Sequence, residues 1–279
     1  MLDIVDILLL LAAGCAGGFL AGLLGIGGGV IFVVVISYFL LPYEMDPHEA
    51  VKFTLANSLF ATFFAGLSGT IKQIQIKNFH LRQILLTALP GVISSLIISF
   101  TIIHFQWYSK EKYGVFFMVI LILFAYRMLF TKRKPEKTDL VVSDISNNKY
   151  MGTGLVSGII SALTGLGGGI LIIPVLHSFM RLDIRKAASI SLGIIPIFAF
   201  ANSLVYMLSD HNAVISIPLS LGYIIFPVVL PLVIGVIIFA PLGVRLAYHL
   251  PQKWIRAFFG TLILILCFKM IYENFINYA

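Results

Sequence analysis

Charge is scarce in this chain. Only 11% of its 279 residues are Asp, Glu, Lys or Arg, less than half of the roughly 25% in an ordinary soluble domain. A water-facing shell cannot be built from so few, which excludes a soluble globular protein. Cysteine is nearly absent as well. Cys15 and Cys267 are the two present, and both sit inside apolar segments, where they read as small buried hydrophobes. Neither a disulfide framework nor a thiolate metal cluster follows from two such residues, and no cofactor is called for. No basic stretch precedes the first apolar run, which opens with Asp3 and Asp6, so a cleaved signal peptide is not expected.

Long uncharged runs fill the rest: 7–43, 53–71, 84–105, 113–126, 192–209, 212–244 and 257–268. Runs of about 20 apolar residues are the mark of membrane-spanning helices. The chain therefore reads as a polytopic integral membrane protein whose surroundings are a lipid bilayer. Its formal charge of +7 points to basic loops on one membrane face rather than to a nucleic acid partner.

Inside the first apolar run lies "LLGIGGGV" (23–30), with four glycines in five positions, and residues 163–170 read "LTGLGGGI". Glycine in a helix interior is about 1 kcal/mol worse than alanine, so each run breaks its helix. A shift of 140 residues lays Gly14, Gly18, Gly25, Gly27, Gly28 and Gly29 onto Gly154, Gly158, Gly165, Gly167, Gly168 and Gly169. After a small gap "DPHEAVKFTL" (46–55) lies over "DIRKAASISL" (183–192), pairing Thr54 with Ser191. The chain thus divides into a first transmembrane repeat (1–130), a hydrophilic linker (131–150) and a second repeat (151–279). Duplication of this kind builds many secondary transporters.

The cations orient the halves. If all eight apolar segments crossed the membrane, the 19 Lys and Arg residues would divide ten against nine, with no bias. If each glycine-broken segment is a hairpin that enters and leaves on one face, fifteen gather on one side and Lys52, Lys110, Lys112 and Lys269 remain on the other. The positive-inside rule selects the hairpin arrangement, with the linker cytoplasmic. Each half then makes three net crossings, so the halves are inverted relative to one another. The expected fold is an all-α integral membrane protein of two inverted repeats, each a glycine-broken helical hairpin plus three transmembrane helices. The arms 152–164 and 170–180 are half-membrane lengths, about 16–20 Å at 1.5 Å per residue. The first copy is longer before its glycines and could cross completely.

A hairpin tip at membrane depth must be buried in protein or line a watery cavity. New helices start at Val30 and Ile170, and their first N–H groups lack intrahelical partners. With the positive end of the helix dipole these amides form an anion site without a charged side chain. Gly25, Gly27, Gly28 and Gly29 and their counterparts Gly165, Gly167, Gly168 and Gly169 are accordingly candidate ligands for a small anion. Gly14, Gly18, Gly22, Gly154 and Gly158, four apart, read instead as helix-packing positions. The spacing fails the dinucleotide pattern G-x-G-x-x-G. Thr54, Asn57 and Ser191 are the leading polar candidates, with Ser58, Ser189 and Asn202 behind them, since hydroxyls and amides can donate to an oxyanion. Lys52 is expected to snorkel to the interface, and His104 and His177 lie near segment ends.

The paired "GLLGIGGGVI" (22–31) and "ALTGLGGGIL" (162–171), the "TL" and "SL" about 27 residues after each, and "APLGVRLA" (240–247) resemble the TauE/SafE family of membrane permeases. The resemblance covers nearly the whole chain and implies movement of sulfite, sulfonates and related sulfur-containing anions, commonly as export. The first half departs from it: "LPGVISSLIISFT" (89–101) lacks the Gly-x-Arg of Gly243 and Arg245. The function expected is a secondary transporter, not an enzyme. Two other classes remain open: an anion channel of the same architecture, and an intramembrane serine protease suggested by "GLSG" (66–69) around Ser68. Oligomeric state is not legible. The sequence alone expects Gly27→Ala or Gly167→Ala to abolish anion binding in a protein that still folds, measured as the affinity of each purified variant.

Overall fold

The computed structural model describes residues 3–40, 45–105, 145–209 and 219–251, with shorter stretches between 107 and 122 and the single positions 257 and 261. The linker segment 131–144, Cys267 and residues 262–279 lie outside the described residues. The first half contains α1 (Ile4–Leu24), α2 (Gly29–Leu40), α3 (Pro47–Gln75) and α4 (Leu81–His104). The second contains α5 (Asn147–Thr164), α6 (Gly169–Pro174) running into a π turn (Val175–Phe179), α7 (Ile184–Leu208) and α8 (Phe226–His249). Two-residue strands, β1 (Ser220–Leu221) and β2 (Ile224–Ile225), pair antiparallel just before α8. Among the described residues α1, α3, α4, α7 and α8 are long and apolar enough to cross a membrane. The protein is an all-α membrane protein.

Matching sequence signals begin and end matching helices. Asp46 and Asp183 cap α3 and α7, each accepting a 2.8 Å hydrogen bond from the backbone N–H two residues on, at His48 and Arg185. Such a cap satisfies one of the orphan donors of a first helical turn. Pro174 explains the widened turn that follows it, because its ring removes one backbone donor from the ladder. One boundary differs from the expectation. The second hairpin's first arm was expected from Gly152, but α5 begins at Asn147 and has 18 residues, about 27 Å. Hydropathy marks where the apolar stretch starts, whereas the helix continues through the polar residues Asn147, Asn148 and Lys149.

Glycine contacts organise the packing. A Cβ on Gly14 would lie 2.3 Å from the Leu232 carbonyl oxygen, and one on Gly22 would lie 2.0 Å from that of Ala240. From the other side, a Cβ on Gly243 would meet the Phe19 carbonyl at 2.1 Å. Helices α1 and α8 thus touch backbone to backbone along their length. The same holds for α5 and α4, where Gly154 faces the Thr87 carbonyl and Gly158 that of Gly91. Gly18 likewise faces the Val236 backbone, so Gly14, Gly18, Gly22, Gly154 and Gly158 are packing positions, as their spacing indicated. The first helix of each half lies on the last described helix of the other half, while α3 and α7 cross at the centre. Outward, α4 exposes Leu89, Ile93, Ile97 and Phe100 and α8 exposes Leu230, Ile234, Ile237 and Ile238. Apolar stripes at this spacing face lipid.

A side chain at Gly22 has only backbone to displace, whereas a Cβ on Gly152 meets nothing within 4 Å. Thermal unfolding in detergent should therefore separate the two. Gly22→Val is expected to lose about 3 kcal/mol or fail to fold, and Gly152→Ala to be neutral or up to about 1 kcal/mol more stable.

Candidate functional site

The two glycine runs adopt the same backbone conformation. Gly25 and Gly165 have φ of 75° and 73°, Gly27 and Gly167 of 84° and 69°, Gly28 and Gly168 of 72° and 77°. Side chains rarely tolerate this left-handed region, which explains why the runs contain glycine at these positions. Gly25 and Gly165 end the preceding helices, their N–H groups donating to the carbonyls of Ala21 at 2.8 Å and Ser161 at 2.9 Å. The Gly28 and Gly168 carbonyls start the following helices, accepting from Ile31 and Phe32 and from Leu171 and Ile172. In both copies the chain turns back along the helix it has left, with Gly28 against the Gly17 carbonyl and Gly168 against that of Ser157.

The two tips meet. A Cβ on Gly29 would lie 2.8 Å from the Leu166 Cα and 3.1 Å from the Gly165 oxygen. Reciprocally, a Cβ on Gly169 would lie 2.9 Å from the Ile26 Cα and 3.0 Å from the Gly25 oxygen. Each long central helix then bonds the tip of the opposite half. Ser58 of α3 donates to the Gly165 carbonyl at 2.9 Å, and Ser191 of α7 donates to the Gly25 carbonyl at 2.7 Å. Thr62 and Ile195 fill the crossing, each touching the Cβ positions of both Gly27 and Gly167. All the tip glycines are buried.

Ser191 and the eight tip glycines are thus together in space. Thr54 is not with them: its hydroxyl donates to the Ala50 carbonyl at 2.8 Å and lies 3.4 Å from that of Ser37. The cause is one helical turn. Helix α3 has 29 residues and α7 has 25, so with aspartate caps aligned at 46 and 183 the tip contacts fall four residues later in α3. Ser58, not Thr54, is the structural counterpart of Ser191, and Thr62 that of Ile195. Sequence reasoning singled out neither Thr62 nor Ile195. The available signal was the four-residue spacing of Thr54, Ser58 and Thr62, which sets all three on one helix face.

Asn57 is committed elsewhere. Its amide donates to the carbonyls of Phe53 at 2.8 Å and Tyr223 at 2.9 Å, and its oxygen accepts the Ile225 N–H at 2.8 Å. It clamps the loop before α8 onto α3. Ser189 donates to the Asn78 carbonyl, and Asn202 joins Ser95, Ser99 and the Phe198 carbonyl. Lys52 does not snorkel: it is only 5% exposed, with its ammonium 2.8 Å from Glu49 Oε1 and above the Tyr223 ring. Burial raises the Tyr223 phenol above its ordinary pKa, and the adjacent Glu49 carboxylate adds to the shift. His104 Nδ1 faces the Phe100 carbonyl and His177 Nδ1 that of Leu182. Arg245 is exposed. Ser68 donates to the Ile237 carbonyl at 3.0 Å. Among the described residues no three His, Cys, Asp or Glu side chains group to hold a metal ion.

A family model described as sulfite exporter TauE/SafE matches residues 10–270. The chain belongs to the TauE/SafE family. It is 27% identical over 271 residues to a probable membrane transporter protein of Haemophilus influenzae, covering 95% of this chain and 97% of that one. A probable membrane transporter protein of Methanocaldococcus jannaschii is 25% identical over 257 residues, 91% of each chain. The Bacillus subtilis probable membrane transporter protein YunE is 22% identical over 222 residues, 74% of this chain and 80% of that one. This TauE/SafE chain is a membrane transporter.

The tip geometry revises the alanine test. At positive φ, alanine costs about 1–2 kcal/mol, and a Cβ on Gly27 or Gly167 would stand 2.9 or 2.7 Å from the Thr62 methyl. Gly27→Ala and Gly167→Ala should lower the melting temperature of the ligand-free protein as well as any affinity. Asn57→Ala strands the Ile225 N–H and should cost about 2 kcal/mol or more, read in the same unfolding assay.

Proposed function

We propose that this TauE/SafE protein is a secondary transporter that exports small sulfur-containing anions, such as sulfite or organosulfonates, by alternating access. The observation that carries this reading is the meeting of two buried glycine tips, one from each half. At the Gly29 tip the first N–H groups of α2 have no intrahelical partner, and the dipole of this 12-residue helix favours negative charge. The atoms nearest the tip glycines belong to backbone, apolar side chains and Thr62, so the anion is bound by neutral donors. The substrate class follows the family description, and a helix N-terminus at the tip suits an anion.

The two repeats, 1–130 and 151–279, are inverted across the membrane, with the basic linker and the loops around Lys77 and Arg185 cytoplasmic. The imbalance of cations supports this topology. Alternating access is then a rocking of one repeat's helices about the shared tips.

Reconstituted proteoliposomes test the proposal. Uptake of labelled sulfite, thiosulfate or taurine should saturate, and unlabelled substrate inside should accelerate it. Linear, voltage-driven flux would overturn the carrier mechanism, and no flux of any sulfur anion would overturn the substrate class.

A further inference from the structure

Thr62 stands apart from the other threonines of α3, α4 and α5. Thr54, Thr70, Thr87, Thr153 and Thr164 each donate to the carbonyl four residues earlier, and Thr101 to the one three earlier. That local bond is the ordinary outlet for a threonine hydroxyl in an apolar helix. Thr62 is fully buried, yet its Oγ1 has no hydrogen-bond partner. A buried hydroxyl left unsatisfied costs about 1–3 kcal/mol, and the Ser58 carbonyl four residues back is the acceptor its neighbours would use.

Its orientation explains the orphan. The Thr62 methyl packs on Gly27 and Gly167, 2.9 and 2.7 Å from their Cβ positions, and its hydroxyl lies 3.1 Å from that of Gly29. Gly29 is the first residue of α2, so the hydroxyl stands beside amides that also lack intrahelical partners. The orphan hydroxyl and the first residue of α2, a helix whose leading amides lack intrahelical partners, thus lie side by side in the buried tip region. On the opposite side of the crossing the counterpart is Ile195, whose methyl groups contact the same two glycines.

We infer that Thr62 is a substrate ligand, its hydroxyl donating to the anion held at the N-terminus of α2 while Ile195 offers only an apolar wall. This assignment rests on the anion-transport reading and adds a side chain to a site otherwise made of backbone. It also makes the site one-sided: an oxyanion end is held against α3, and any apolar substituent lies against α7.

Titration calorimetry of the purified full-length protein with sulfite, thiosulfate, sulfate and taurine tests it. Thr62→Val keeps the shape and removes the hydroxyl, and Thr62→Ser keeps the hydroxyl and removes the methyl. The expected result is a Kd raised about ten-fold or more in T62V, within about three-fold of wild type in T62S. The ligand-free T62V protein should melt at the wild-type temperature or above, because the orphan hydroxyl is gone. Wild-type affinity in T62V would overturn the assignment and leave the anion site standing. An equal loss in T62S would also overturn it, by tracing the effect to methyl packing. No binding of any of the four anions by the wild type would overturn both readings together.

Discussion

The fold depends on one backbone-to-backbone contact between chain reversals from the two halves. Gly29 lies on the Leu166 backbone and Gly169 on that of Ile26, with Thr62 and Ile195 alongside. Close approach at that point permits only glycine, and the reversals demand left-handed backbone at six positions. Once the tips meet, their buried carbonyls need donors. Ser58 and Ser191 supply them, each from the central helix of the opposite half. The halves are thereby cross-tied at the tips, and the glycine seams of α1 with α8 and α5 with α4 extend the same exchange to the periphery.

The paired glycine runs, the packing glycines and the alignment of Asp46 with Asp183 were all legible in the sequence. Each is a local feature repeated in both halves, and repetition separates signal from chance. What remained hidden depends on distance or on helix length. An alignment anchored on Asp46 and Asp183 pairs Thr54 with Ser191, because it has no way to register an added turn inside α3. Asn57 looked like a free polar group in an apolar helix. Its partners at Tyr223 and Ile225 are more than 160 positions away in the chain and are backbone atoms, which leave no residue pattern. Lys52 was misjudged for a related reason: Glu49 and Tyr223 give it a buried seat that a lone membrane lysine lacks.

The buried ion pair is kept apart from the glycine tips. The Lys52–Glu49 pair lies near the start of α3, and Thr62 is ten residues further on, about 15 Å along the helix. A permanent cation at the tips would hold an anion too tightly for rapid release and would carry its own desolvation penalty. In the proposed site, neutral amides and the Thr62 hydroxyl would instead give weaker, directional bonds, which suit a ligand that must leave on each cycle.

The extra turn of α3 has an implication for how such a helix can change over evolution. Each inserted residue rotates everything beyond it by about 100°. Four together return the face to within about 40° of where it began, so Ser58 and Thr62 still meet the tips. One or two alone would have swung that polar stripe toward α8 or the lipid. Insertions and deletions between the cap and the crossing are therefore quantised: this helix can lengthen by whole turns, and intermediate lengths are closed to it.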